Sequence, residues 1–202
     1  MTIDELAMVV YYVAGCHGYA RMTRHGMMLK RTSPSGGGLH PIELYPLIVR
    51  VEGVEPGLYH YNARDHSLEL VRELDAAEAR HAASEFVCGQ EYFASANVLF
   101  VMTARFYRSF WKYRRHERAY GVLLMDAAHL SQTLYLVAAE LGLGAFVTAA
   151  VNGANIEERL GIDGVAEGVL AVSGCGRPAH RRTALEPDFA PYVPRETTLP
   201  DL

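Results

Sequence analysis

The reactive side chains of this chain crowd into two short stretches. Ala104 to Tyr120 reads ARFYRSFWKYRRHERAY and sets Arg105, Arg108, Lys112, Arg114, Arg115 and Arg118 among bulky aromatics. A phenol flanked by cations has its anionic form favoured, so Lys112 and Tyr113 together could furnish a base for proton removal. The plainer alternative is a solvated basic face over an aromatic underside. The second stretch, Lys30 to Gly53, reads KRTSPSGGGLHPIELYPLIVRVEG. Three consecutive glycines either turn the chain ahead of a strand or let its backbone lie flat against a ligand. A further glycine pair, Gly142 and Gly144 in LGLGAF, reads by spacing alone as a helix stop and a strand start.

Other chemistries find little support in the residues. Ser35-Gly36-Gly37-Gly38 lacks the lysine of a phosphate loop, and LGLGAF lacks the spacing of a dinucleotide fingerprint. No Ser or Cys stands in a nucleophile-elbow pattern, and the nine histidines include no HExxH pair. The three cysteines, Cys16, Cys88 and Cys175, have no CxxC spacing, which argues against a zinc site or a disulfide framework and fits a reducing cytoplasm.

Mixed helices and strands must position these groups. Ile3 to Ala14 has helical periodicity behind the N-cap candidates Thr2 and Asp4. Gly15 to His40 reads as a long connection, and long connections in compact domains are usually functional or mobile. Ile42 to Val51 is a strand, VEPG at Val54–Gly57 is a turn, and Leu58–Asn62 with Ser67–Val71 forms a hairpin. A helix is expected over Asp75–Phe86 and a buried central strand over Ala96–Ala104. The basic helix runs from about Arg105 to Arg118. The longest helix, Tyr120 to Leu141, is apolar nearly all round and therefore central. A strand after Gly142, a short helix over Asn155–Gly161 and a last strand over Gly168–Gly174 complete the core. Beyond Arg177 the prolines 178, 187, 191 and 194 mark an extended arm, 180–202. Without strict βαβ alternation, the order favours an α+β fold.

With 202 residues, 50% of them hydrophobic and 21% charged, the chain is expected to be one globular domain, 1–202. Its net charge of −4 speaks against nucleic acid as a partner. No apolar run approaches membrane-spanning length and no signal peptide precedes Thr2, so no membrane role is expected.

Four motifs in order, RTSPSGGGLHPIELYPLIVRVEGVEPGLYHYN, FWKYRRHERAY, LLMDAAHLSQTLYLVAAELGLGAF and GCGRP, resemble the SagB-type dehydrogenases. These form the flavin branch of the nitroreductase superfamily that includes thiazole- and oxazole-forming peptide oxidases, and the chain is most similar to its peptide maturation dehydrogenases. The resemblance spans about Thr2 to Pro178. It implies a nitroreductase fold with a mostly antiparallel central sheet flanked by helices. It also implies a domain-swapped homodimer with FMN at the interface and extended terminal arms wrapping the neighbour. Carried over by motif, Arg31, Ser33, Pro34, Ser35, Gly36 and Gly37 are expected to contact FMN, and Gln132 to face it. Leu143, Gly144, Ala145 and Phe146 are expected to pass the flavin edge, where backbone N–H groups stabilise negative charge on the reduced ring. Arg177 matches a phosphate-side position, and Lys112-Tyr113 the Lys-Tyr pair of the azoline oxidases.

Two motifs differ from the family pattern. The Arg-Arg-Ser motif that precedes the first helix in relatives is absent from these residues, with Arg21, Arg24 and Arg31 as the available substitutes; Tyr120-Gly121 replaces the usual Tyr-Arg. The implied activity is FMN-dependent dehydrogenation of azoline rings or Cα–Cβ bonds in a precursor peptide, in company with partner maturation enzymes. The alternatives are a general NAD(P)H-dependent nitro or quinone reductase and a flavin-free scaffold that binds a precursor peptide.

Overall fold

Apolar side chains alternate along the central strands, and that alternation builds a core on each face of one sheet. In strand β6, Val98–Arg105, residues Val98, Phe100, Met102 and Ala104 join one cluster while Leu99 and Val101 join the other. A strand covered on both faces reads as an unbroken apolar run, which is how Ala96–Ala104 reads. In the computed structural model, which describes residues 1–22 and 26–178, six strands lie in the order β5-β4-β3-β6-β8-β7, all antiparallel. The other strands are β3 (Ile42–Ile48), β4 (Gly57–Asn62), β5 (Ser67–Glu73), β7 (Gly144–Thr148) and β8 (Glu167–Gly176). The expected arm 180–202 and Arg24 lie outside the described residues.

One face carries helices α1 (Ile3–Ala14) and α5 (Ala119–Glu140), the other α2 (Ala76–Phe86), α3 (Glu91–Ala94) and α6 (Gly153–Leu160). This is the α+β sandwich expected from the order of elements. Thr2 caps α1 in a capping box with Glu5, and Asp75 caps α2 in one with Glu78. The basic helix α4 covers Phe106–Tyr113 only. It stops five residues short of Arg118, the Arg114 side chain folding back onto the Trp111 carbonyl.

Two expectations differ from the structure. Gly15–His40 is not a plain connection: Cys16–Met22 (β1) and Gly26–Arg31 (β2) pair as an antiparallel ribbon outside the main sheet. Neither segment carries period-2 hydrophobicity, because the ribbon packs little of itself into a core; Tyr19 is 56% and Met27 61% exposed. The 22-residue α5 is long and apolar enough to cross a membrane, with an 18-residue window of mean hydropathy 1.3. It lies instead against α1 and the sheet, with Leu123, Ala127, Leu130, Leu134 and Ala138 in the core. Polar residues interrupt that run, and they turn out to hold the site.

Candidate functional site

Helix α5 is the spine on which the glycine loop is fixed. Asp126, 1% exposed, accepts hydrogen bonds from the Ser35 hydroxyl at 2.6 Å and the Gly36 N–H at 2.9 Å. The Ser35 oxygen in turn accepts the His40 N–H at 2.9 Å. The buried Ser33 hydroxyl reaches the Val13 carbonyl at 2.7 Å and Thr133 Oγ1 at 3.1 Å, and His129 Nδ1 lies 3.3 Å from the Pro34 carbonyl. Successive turns of one helix thus clamp Ser33 to Gly36. A carboxylate inside an otherwise apolar helix must be paired, and that signal could have flagged Asp126 from the sequence.

The loop receives Lys112 and Tyr113 from α4. Gly37 has φ +66°, and a Cβ there would stand 2.4 Å from Lys112 Nζ and 2.8 Å from the Tyr113 hydroxyl. A Cβ on Gly36 would meet Val122 Cγ1 at 2.3 Å. The close approach that excludes side chains at these positions is therefore made by α4 and α5 themselves. Lys112 Nζ lies 3.5 Å from the Gly37 carbonyl and 5.7 Å from the centroid of the Tyr113 ring.

Beneath this corner lies a buried charge cluster that the sequence motifs did not single out. Glu43 in β3 is 3% exposed and sits 2.6 Å from Arg108, 3.3 Å from His60 Nε2, 3.5 Å from Arg105 and 3.7 Å from Arg31. Burial pushes the Glu43 carboxyl up, but the His60 hydrogen bond and the Arg108, Arg31 and Arg105 charges outweigh it and bring it down to about 2. His60 is raised by its hydrogen bond to Glu43, against burial, with help from Glu69 at 3.0 Å. His40 is lowered to about 4 by burial and by Arg31; its imidazole is neutral at pH 7. Arg105 also meets the second buried carboxylate, Glu167, at 3.0 Å, and Tyr45 and Thr103 donate to Glu167. Burial and Glu167 push the Tyr45 phenol up to about 12.

Two open grooves run beside α4 and α5. One, of about 820 Å³, runs between β2 and α4 and is lined by Arg31, Gly37, His40, Arg108 and Lys112 together with apolar side chains. The other, of about 470 Å³, lies along α5 and holds Gln132 with Tyr135 and Val147.

The sequence-derived site residues therefore fall into three groups. Arg31, Ser33, Pro34, Ser35, Gly36, Gly37, Lys112 and Tyr113 come together. Gln132 follows Asp126 along α5 by six residues, about 9 Å of helix, and shares its groove with β7. Of the strand start, Gly144 is exposed and Ala145 half-buried, whereas Leu143 and Phe146 are buried, Phe146 stacked on Phe93 at 4.2 Å. Arg177 stands apart: its guanidinium is 2.5 Å from Glu5 at the start of α1, whereas Ser33 binds near the end of that helix, about 12 Å along it.

The fold is that of an oxidoreductase scaffold, and residues 9–177 match the nitroreductase family. The chain belongs to that family, whose members generally bind flavin. It is 29% identical over 172 residues to the trifolitoxin-processing protein TfxB of Rhizobium leguminosarum bv. trifolii, covering 85% of this chain and 46% of that protein. A nitroreductase-like protein from Anabaena variabilis superposes with a TM-score of 0.75 at 27% identity, over 85% of this chain and 34% of that one. The E. coli microcin synthetase complex McbBCD, solved with truncated pro-MccB17 bound, contains a chain of the same fold, with a TM-score of 0.71 at 22% identity and coverage of 89% and 65%. The chain spans less than half the length of TfxB and about a third of the Anabaena chain.

Proposed function

We propose that this chain is an FMN-dependent dehydrogenase acting on a modified precursor peptide, with Lys112 and Tyr113 as its proton-removing pair. The observation that carries this reading is the seating of both side chains against Gly37, where the Cβ of any other residue would collide with them. A general reductase takes hydride from a nicotinamide and needs no such base.

The residues present suit a flavin. The loop is exposed at Pro34 and Gly37, its backbone is held from behind by Asp126, and the buried Arg31 Nε has no partner among the described residues. Ser33 to Gly37 would hold the ring system from the loop, with Gln132 and the outer edge of β7 along its rim. When bound, FMN would accept hydride from the carbon undergoing oxidation. Tyr113 would take the proton from the adjacent position, with the Lys112 ammonium beside it, a contribution of about 10²–10⁴-fold. Asp126 fixes the loop that Lys112 and Tyr113 touch, and Glu43 anchors α4 through Arg108.

The apolar outer face of α5, Leu124 58% exposed, Met125 60% and Leu136 64%, suits a homodimer in which two copies of α5 pack together. TfxB is described as a processing protein, and the McbBCD structure is a complex with a peptide bound; both support partner maturation enzymes and a peptide substrate here. Action in the cytoplasm is in keeping with three free cysteines.

The test is Tyr113→Phe, which keeps the packed ring and removes the oxygen. The variant should take up FMN and be reduced by dithionite as the parent does, yet oxidise an azoline-containing peptide slower by about two orders of magnitude or more. Wild-type rates in the variant would overturn the assignment.

A further inference from the structure

The ribbon β1–β2 leaves one strand edge open beside the larger groove. The Thr32 N–H is spent on the Gly15 carbonyl at 2.9 Å, on the side of β1. Strand alternation then turns the Arg31 N–H outward, where it faces His40 Nε2 at 3.5 Å. The backbone groups of Leu29 and Met27 point the same way, and among the described residues no backbone partner reaches them. They open directly onto the groove of about 820 Å³, a volume typical of ligand sites.

The opposite wall is α4, with Tyr107 78% exposed, and the Arg31, Arg108 and Lys112 cations stand along the same cavity. None of the lining residues is acidic. The one carboxylate below them, Glu43, is buried and faces Arg31, Arg105, Arg108 and His60 at once.

We propose that an extended, acidic segment of the peptide substrate docks here by adding a strand to the outer edge of β2, main chain to main chain, with its carboxylates toward the α4 cations. The inference rests on the reading of the chain as a peptide-acting enzyme and names where and how the peptide is gripped. Strand addition supplies affinity through backbone hydrogen bonds and leaves side-chain pockets to set preference. β2 has six residues, room for about 20 Å of paired strand. Lys112 lines the same groove, so a segment held there delivers its neighbouring residues to the Lys112–Tyr113 corner.

The test uses the full chain and a fluorescein-labelled heptapeptide of alternating Val and Glu, with anisotropy as the readout. Two control probes carry Lys in place of Glu, or N-methyl groups on alternate backbone amides. The Glu probe should bind saturably and about tenfold or more tighter than either control. Leu29→Pro removes an outward N–H without touching the ladder to β1, a placement that strand edges tolerate. It should weaken the Glu probe by about tenfold while leaving the circular dichroism of the fold intact. Equal binding of the plain and N-methylated probes, or no saturable binding, overturns the proposal even if Leu29→Pro fails to fold. So does tighter, competing binding by a synthetic peptide of residues 179–202, which would make the groove the seat of the chain's own end. The assay needs no turnover. An inert groove beside intact Tyr113-dependent oxidation sinks this inference alone, and a flavin-free protein that binds the probe sinks the proposed function alone.

Discussion

Glu43→Gln is the substitution with the most to say about how the site is held. The native carboxyl titrates at about 2 instead of 4.5, a displacement worth roughly 3 kcal/mol at about 1.36 kcal/mol per pH unit. Its pKa is depressed on folding, so this stability is fully present above about 4.5 and is lost as pH falls through about 2. At pH 3 the unfolded carboxyl is protonated and the folded one is still ionised, leaving about 1.4 kcal/mol, less than half of the neutral-pH value. The amide introduced in place of the carboxylate would accept from one arginine and leave the other cations less compensated over a buried site. Arg105 and Arg108 are exposed enough to turn toward water, with side chains 47% and 37% accessible, whereas Arg31 at 11% is not. We therefore expect a loss of about 2–4 kcal/mol at pH 7 and a drop in Tm of about 6–12 °C. Urea unfolding of both proteins, followed by far-ultraviolet circular dichroism at pH 7 and pH 3, reads the difference. The gap should narrow by about 2 kcal/mol at the lower pH. A gap that is the same at both pH values, or a variant as stable as the parent at pH 7, would refute the account of Glu43 as a net stabilising hub.

Three further outcomes are expected. Gly37→Ala and Gly38→Ala bear the same backbone cost of about 1–2 kcal/mol, since φ is +66° and +67°, but only at Gly37 does a Cβ meet Lys112, the nearest atom at Gly38 being 3.8 Å away; peptide oxidation should fall much further in the first variant while the two Tm values match. His60 has its pKa raised on folding, so its stabilising share is complete below about 6.5 and fades as pH rises through the folded value; the urea midpoints of His60→Gln and the parent should differ at pH 6 and converge by pH 9. The double variant Leu124→Glu, Leu136→Glu should convert a dimer into a chain of 22.3 kDa by light scattering, and an unchanged mass would move the interface elsewhere.

The legible parts of the fold were those where burial on both faces, or a cap, leaves a mark on local composition. β6 reads as a strand because Phe100 and Val101 both need apolar surroundings, and α1 and α2 start where Thr2 and Asp75 cap them. The β1–β2 ribbon has no such mark, since its pairing rests on backbone groups that every residue carries. At the site, the Lys112–Tyr113 pair and the Ser33–Gly37 loop were recognisable from their motifs. Their supports lie outside those motifs' reading. Asp126 and Glu43 are carboxylates in apolar surroundings, a mark that says each must be paired, but their partners, Ser35 for one and Arg31, Arg105 and Arg108 for the other, converge only through the fold. Arg177 fits the motif, yet pairing with Glu5 keeps it away from the loop.

Strand β3 contains Pro46, which has no N–H to give, and its ladder to β4 registers only Leu47 with Leu58 and Ile48 with Gly57. The hairpin Gly57–Glu73 is thus hung from the sheet by two rungs at one end. At the open end a side-chain clasp replaces the missing ladder: His60 of β4 reaches back to Glu43 of β3 and lies tilted beside Tyr45 with ring centroids 5.1 Å apart. Such a hairpin should breathe as a unit, shedding amide protection earlier than β6 or β8. Because the clasp is an ion pair between groups of different pKa, its breathing has a tempo set by proton concentration. The hairpin becomes a hinged flap whose latch loosens in alkali, and Glu43, the latch's fixed half, is the same carboxylate that braces α4.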